Sequence, residues 1–255
     1  MDKIENRYKY IWCDADRQKL EKPVLLISHG SGGISSVEWK FAQLACDAGW
    51  GVCVLDHFTH RGVKSHWWHS IETYPSMQDR SQDLIDMRKG FIKKFDAMLG
   101  VSAGGTATIM AQETIKIPVF AVYPCLNPVT KSMLRSSDVT IHTGKKDDWT
   151  TVKHARRFAE ITNADLHEHS GYHAYLKPGE DRYIKETISF RNLQLPIPFP
   201  DDMLLLNNYP LEKGVTLKYN KKSTDETYKH FIEWLNKIAK RPRQGFISAI
   251  RHEKK

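Results

Sequence analysis

One serine in this chain has a setting that could make it a nucleophile. Gly100-Val101-Ser102-Ala103-Gly104, followed by Gly105, comes directly after the apolar run Ala97-Met98-Leu99 and directly before a helical segment of small residues. Small flanking residues let a chain turn sharply from strand to helix and leave the serine hydroxyl exposed at the bend. The helix behind it offers the positive end of its dipole to a developing anion. The bland alternative is a glycine-rich strand–helix turn that only packs well. A hydroxyl is a poor nucleophile at neutral pH and needs a base, which in turn needs an orienting acid. On an open parallel sheet the expected chain order is Ser, then Asp or Glu, then His, each on a loop after a strand. Asp147 and Asp148 follow the apolar run Val139–Thr143, and His173 lies in Ser170-Gly171-Tyr172-His173-Ala174-Tyr175. Alone, Asp147 could be an acid at a helix start and His173 a packing histidine. The order of all three makes Ser102, His173 and Asp147 a candidate catalytic relay.

A tetrahedral intermediate also needs hydrogen-bond donors. Ser28-His29-Gly30-Ser31-Gly32-Gly33 follows the first buried run, and its glycines free backbone N–H groups to point inward. The expected oxyanion donors are the N–H of Ala103 and that of Ser31, with Gly30 or Gly32 as substitutes for Ser31. The loop lacks the Lys-Ser/Thr of a P-loop and does not fit a dinucleotide fingerprint. Further on, His57, His60, His66 and His69 surround Trp67 and Trp68. Without a nearby cysteine or a ligand-like carboxylate spacing, no metal site is expected there. The expected role is a loop over the site, with Trp67 or Trp68 as an apolar wall. Arg61 reads two ways: an anion contact for substrate, or an anchor on a buried carboxylate.

The elements that position these residues alternate. Strands are expected at Val24–Ile27, Gly51–Leu55, Ala97–Val101, Val119–Tyr123, Val139–Thr143 and near Leu166. Helices are expected over Val37–Ala48, around Leu84–Ile92, from Ala103, over Val152–Ile161 and over Thr224–Ala239. That is the pattern of a parallel sheet with crossover helices. Between Pro178 and Gly214 the Pro-rich stretch LQLPIPFPDDMLLLNNYP breaks the pattern, so 178–213 is expected to be an insertion without regular structure, either a partial lid or an oligomer contact.

Composition narrows the class further. The 255 residues carry 38 Lys+Arg against 30 Asp+Glu, a net charge of +8, with 40% hydrophobic residues. This is globular composition and excludes disordered, collagen-like and disulfide-miniprotein classes. The basic excess is diffuse and densest from Lys237 to Lys255, which includes the basic tail 241–255, so no nucleic-acid partner is expected. The sequence shows no membrane span and no secretory h-region, and Cys13, Cys46, Cys53 and Cys125 lack CxxC spacing. A cytoplasmic protein with free thiols, monomeric or homodimeric, is expected.

The chain resembles the dienelactone hydrolase family of α/β-hydrolases. The resemblance is carried by SHGSGG at 28–33, DHFTHRGV at 56–63, GVSAGG at 100–105, GKKDDW at 144–149, GYHAY at 171–175 and LKYNKKSTDETYKHFIEWL at 217–235. It spans about residues 22–240 apart from the insertion. It implies a single α/β domain over 1–240 with a mostly parallel eight-stranded sheet, helices on both faces, no metal and no cofactor. It also implies a relay of Ser102, Asp147 and His173, Asp147 fitting the family acid better than Asp148. That family carries Cys at the nucleophile position, so Ser102 points instead to general ester hydrolysis of a small-molecule substrate. Peptidase, thioesterase or acyltransferase chemistry on the same relay, or a non-catalytic binding module, are the alternatives.

Overall fold

The computed structural model describes residues 9–12, 22–63, 75–90, 95–126, 133–135, 137–188 and 213–241. Strands β1 (Lys9–Trp12), β2 (Val24–Ser28), β3 (Gly51–Asp56), β4 (Ala97–Val101), β5 (Val119–Val122), β6 (Val139–Gly144) and β7 (Asp165–His169) form one sheet. Its order is β1-β3-β2-β4-β5-β6-β7. Every pairing is parallel except β1 on β3. Helices α1 (Ser36–Asp47), α2 (Met77–Gly90), α3 (Ala103–Ile115), α4 (Val152–Thr162) and α5 (Lys221–Ala239) cover it.

The two faces follow from the period-two alternation of strand side chains. Leu25, Ile27, Val52, Val54, Leu99 and Phe120 point to the face covered by α1 and α5. Leu26, Cys53, Leu55, Met98, Ala121 and Ile141 point to the face covered by α2, α3 and α4. Both faces are dry, which is why β2 and β4 read as continuous apolar runs. On the first face Phe41 of α1 meets Phe231 of α5 and Phe120 of β5 edge-on, with centroids 4.9 and 6.3 Å apart. The start of α1 is fixed by a capping box: Ser35 accepts from Val37 N–H, and Glu38 accepts from Ser35 N–H at 2.8 Å.

Two expectations are corrected. Among the described residues the main sheet has seven strands rather than eight. The segment 178–213 is not wholly irregular either. Its ends form β8 (Asp181–Ile188) and β9 (Lys213–Lys218), an antiparallel pair of their own. Asp181, Arg182 and Lys185 hide the first of these strands, because the ribbon leaves them exposed and no apolar run is needed. Residues 189–212, the tail 242–255 and Cys13 lie outside the described residues, while Cys53 is a buried free thiol. Among the described residues no helix is long and apolar enough to cross a membrane.

The chain runs from β2 outward to β3 and then crosses back past β2 to β4. Loops leaving the carboxyl ends of β2 and β4 therefore diverge, and the crevice between them is where open α/β sheets bind ligands. Phe231→Ala should cost about 3–5 kcal/mol through the cavity it opens against Phe41 and Phe120. A urea titration that showed less than about 1 kcal/mol of loss would contradict this account of the core.

Candidate active site

Ser102 caps α3 immediately after β4, with φ 52 and ψ −117. This is a region L-residues avoid, so the turn stores strain of about 1–3 kcal/mol. The backbone around it leaves no room for larger residues. A Cβ on Gly100 would run into the carbonyl of Gly104, and one on Gly104 into the carbonyls of Ser28 and His29. Both glycines are required by close approach, and the packing they allow clamps the serine in place.

Ser102 Oγ lies 3.2 Å from His173 Nε2, and His173 Nδ1 lies 2.8 Å from Asp147 Oδ2. Asp147 also accepts from the N–H groups of Trp149 and Thr150, at 2.9 and 2.7 Å, and from the Thr150 hydroxyl at 2.9 Å. Burial pushes the Asp147 carboxyl up, but His173 and the Thr150 donors outweigh it and hold the group below the usual carboxylate range. Tyr123 and Trp149 flank the imidazole, with ring centroids 4.7 and 4.9 Å away. Chemically, an acceptor-only carboxylate fixes the proton of His173 on Nδ1 and turns the Nε2 lone pair to the serine hydroxyl.

Ser102 and His173 line an open cleft of about 170 Å³, with Asp147 buried behind the imidazole. Gly30, Ser31, Ser102, Tyr123 and Trp149 line it on the sheet side, and Arg182, Ile184 and Leu217 line it from the β8–β9 ribbon. Ala103 is the first residue of α3, so its N–H has no acceptor within the helix. Gly30 lines the cleft too, yet its N–H donates to Glu38 Oε1 at 3.1 Å, which removes it as a substitute oxyanion donor. Glu38 is buried, and burial raises its pKa against the opposing donors of Ser35 and Gly30.

Arg61 does not line the cleft. Its guanidinium forks onto Asp83, at 2.7 and 2.8 Å, and also donates to the His57 carbonyl at 2.9 Å. Of its two readings the anchor holds. Trp67, Trp68, His66 and His69 lie outside the described residues.

The anchor belongs to a second relay that sequence reasoning missed. Ser28 Oγ is 2.9 Å from His57 Nε2, and His57 Nδ1 is 2.8 Å from Asp83 Oδ2. All three residues are buried, at 0, 0 and 1% exposure, and none lines the cleft. The His57 N–H also donates to His29 Nε2 at 3.1 Å, and Arg80 donates to the His29 carbonyl at 2.9 Å. The relay therefore braces the 28–33 loop from below. The sequence did not flag it because its chain order is Ser, His, Asp rather than Ser, Asp, His, and its serine stands in no glycine-flanked elbow. Asp148 was passed over as well. It accepts from Thr216 N–H and Oγ1, both at 2.8 Å, and fastens β9 to the loop that carries Asp147.

No family model matches the chain, and no curated protein matches it. Solved structures do. The chain is similar to a dienelactone hydrolase-like promiscuous phosphotriesterase from metagenomic libraries, at 10% identity over 91% of this chain and 92% of that one, with TM-score 0.57. It is also similar to monoacylglycerol lipase from Paleococcus ferrophilus, at 15% identity over 91% and 99%, with TM-score 0.56. Est1E from Butyrivibrio proteoclasticus with ferulic acid bound matches at 14% identity over 65% and 87%, with TM-score 0.52. The fold is that of the α/β-hydrolases. Within that fold, the similarity includes dienelactone hydrolase-like structures.

The buried relay makes a prediction about acid stability. Burial is the main force on His57 and, against the opposing pull of Asp83, lowers its pKa from 6.5 to about 4. The folded chain then holds fewer protons than the unfolded chain between those values, so stability is complete above about pH 6.5 and lost as pH falls through 4. Asp83 adds a later loss. Burial raises it, but His57 and Arg61 bring it from 3.8 down to about 2, so its contribution disappears as pH falls through that value. His57→Gln should be less stable at pH 7 but show a shallower fall in urea midpoint between pH 6.5 and 4. Parallel curves for the two proteins would remove His57 from this role.

Proposed function

We propose that the chain is a serine hydrolase that cleaves carboxylic esters through an acyl-enzyme. The observation that carries this reading is the hydrogen-bonded run from Ser102 Oγ through His173 to Asp147, whose serine and histidine line an open cleft. Ser102 attacks the acyl carbon as His173 Nε2 takes its proton, and the carbonyl π electrons move onto oxygen. The N–H groups of Ala103 and Ser31 receive that oxyanion, each donor being worth about 10²–10³ in rate. The intermediate collapses, the bond to the alkoxy oxygen breaks, and His173 returns the proton to the leaving alcohol. Water then repeats the sequence on the acyl-enzyme and frees the acid. Asp147 keeps the imidazole in one tautomer and stabilises its cation.

The substrate is a small-molecule ester. Tyr123, Trp149, Ile184 and Leu217 give the cleft an apolar lining that suits an acyl or aryl group. The names of two similar structures, a monoacylglycerol lipase and an Est1E with ferulic acid bound, favour ester chemistry over peptide cleavage. Ser102→Ala should fold normally and lower kcat/KM for p-nitrophenyl acetate by about 10⁴-fold or more. A fluorophosphonate probe should label wild-type protein at Ser102 and leave Ser102→Ala unlabelled. Wild-type turnover by the alanine variant would end this assignment, and an unlabelled wild type would favour a binding module.

A further inference from the structure

A second grouping of chemistry-bearing side chains lies outside the cleft, where α5 crosses the β6–β7 end of the sheet. β6 and β7 are parallel with His142 directly opposite His167, and His169 lies two residues further along β7. Alternation turns all three to the α5 face. His142 stacks on Phe120 there, with centroids 4.6 Å apart, and on His167 at the same separation. His230 of α5 closes over the pair, its ring 4.6 Å from His167 and 5.5 Å from His142. One nitrogen from each of His142, His167 and His230 lies within 4.8 Å of the other two.

The proton positions in this cluster can be worked out from its outer edge. Glu226, as a carboxylate, only accepts, and its Oε2 is 3.1 Å from His169 Nδ1. The proton of His169 is therefore on Nδ1, and its Nε2 carries a lone pair. That nitrogen is 2.8 Å from His142 Nδ1, which must then be the donor. The lone pair of His142 is left on Nε2. This atom is buried and has no hydrogen-bond partner among the described residues, and the same is true of His230 Nδ1. Two orphaned nitrogens in one buried space are costly unless something fills the gap between them. A carboxylate acting through one histidine to set the tautomer of the next is also the outer arrangement that metal-binding histidines have.

We propose that His142, His167 and His230 bind one divalent transition-metal ion of the zinc class, with His169 and Glu226 fixing His142 as a ligand. Three imidazoles suit zinc, copper or nickel and do not suit magnesium or calcium. In a tetrahedral site with Zn–N bonds of about 2.0–2.1 Å the nitrogens stand roughly 3.4 Å apart. The rings of His167 and His230, both only partly buried, draw inward by side-chain rotation to reach that spacing. The fourth position faces the solvent side of those two rings and takes a water. Because the ligands come from β6, β7 and α5, the ion clamps the last helix to the sheet. None of the three histidines lines the Ser102 cleft, so the proposal stands or falls independently of ester hydrolysis.

The test is calorimetric titration of zinc chloride into chelator-treated full-length protein, with thermal melting in parallel. One equivalent should bind with Kd below about 10 μM and raise the Tm, while magnesium does neither. His167→Gln and His230→Gln should each weaken zinc binding by about tenfold or more, and Glu226→Gln by about tenfold. His154→Gln, on α4, should leave it unchanged. The two ligand variants sit on different elements, so one that fails to fold does not silence the other. Cobalt(II) should give a visible d–d absorption that disappears in the same variants. Absence of a stoichiometric site in wild type, or undiminished zinc binding in the folded His167 and His230 variants, would overturn the proposal.

Discussion

The site depends on one steric constraint at the junction of β4 and α3. Ser102 can hold its positive φ only because the turn is pinned from both sides, by Gly100 against Gly104 and by Gly104 against the end of β2. Its N–H adds a third fixed point by donating to the Val122 carbonyl at 2.8 Å. β4 therefore cannot shift along β2 or β5 without releasing the serine. The close contact of Gly104 with Ser28 and His29 also couples the elbow to the loop that faces it across the cleft. Strain at Ser102 and the position of the 28–33 loop are thus one packing problem.

Two Ser–His–Asp relays with almost the same distances occur in this chain, and they show that hydrogen-bond geometry alone does not make a site. The Ser28–His57–Asp83 relay has good distances, yet no member reaches a cleft and no strained turn presents its serine. Arg61 adds a fixed cation to Asp83, and the His57 ring is kept neutral by burial. An imidazole that resists protonation this strongly is a poor general base, since it must carry the proton in the intermediate. The Ser102 relay differs in its setting. Its serine is at an open cleft, it lies at a helix start, and its carboxylate is held by Thr150 and two backbone donors, with no arginine or lysine on it among the described residues.

Much of this was legible in the sequence, for a physical reason. Strands buried on both faces must be apolar throughout, so β2, β4, β5 and β6 are visible as runs. The elbow is visible because its sterics demand glycines at set positions. Contacts between distant side chains have no such local signature. Arg61 could be read as a substrate contact or an anchor because Asp83, 22 positions away, was indistinguishable from an exposed acid of α2. The β8–β9 ribbon was hidden because it packs on loops and keeps charged side chains in water. The histidines of β6 and β7 stayed out of view because their meeting depends on strand register, which one sequence does not specify.

The acid loop shows how adjacent residues divide two tasks. Asp147 and Asp148 are chemically alike, yet Asp147 turns inward to His173 and Asp148 turns outward to Thr216 of β9. The ribbon is also stitched to the histidine loop, where Lys218 N–H donates to the His173 carbonyl at 3.1 Å and Leu217 bridges to His173. Both loops that carry His173 and Asp147 therefore rest against β9. Arg182 and Ile184, on the partner strand β8, form the outer wall of the same cleft. A displacement of the ribbon would move the cleft wall and disturb the His173–Asp147 alignment together.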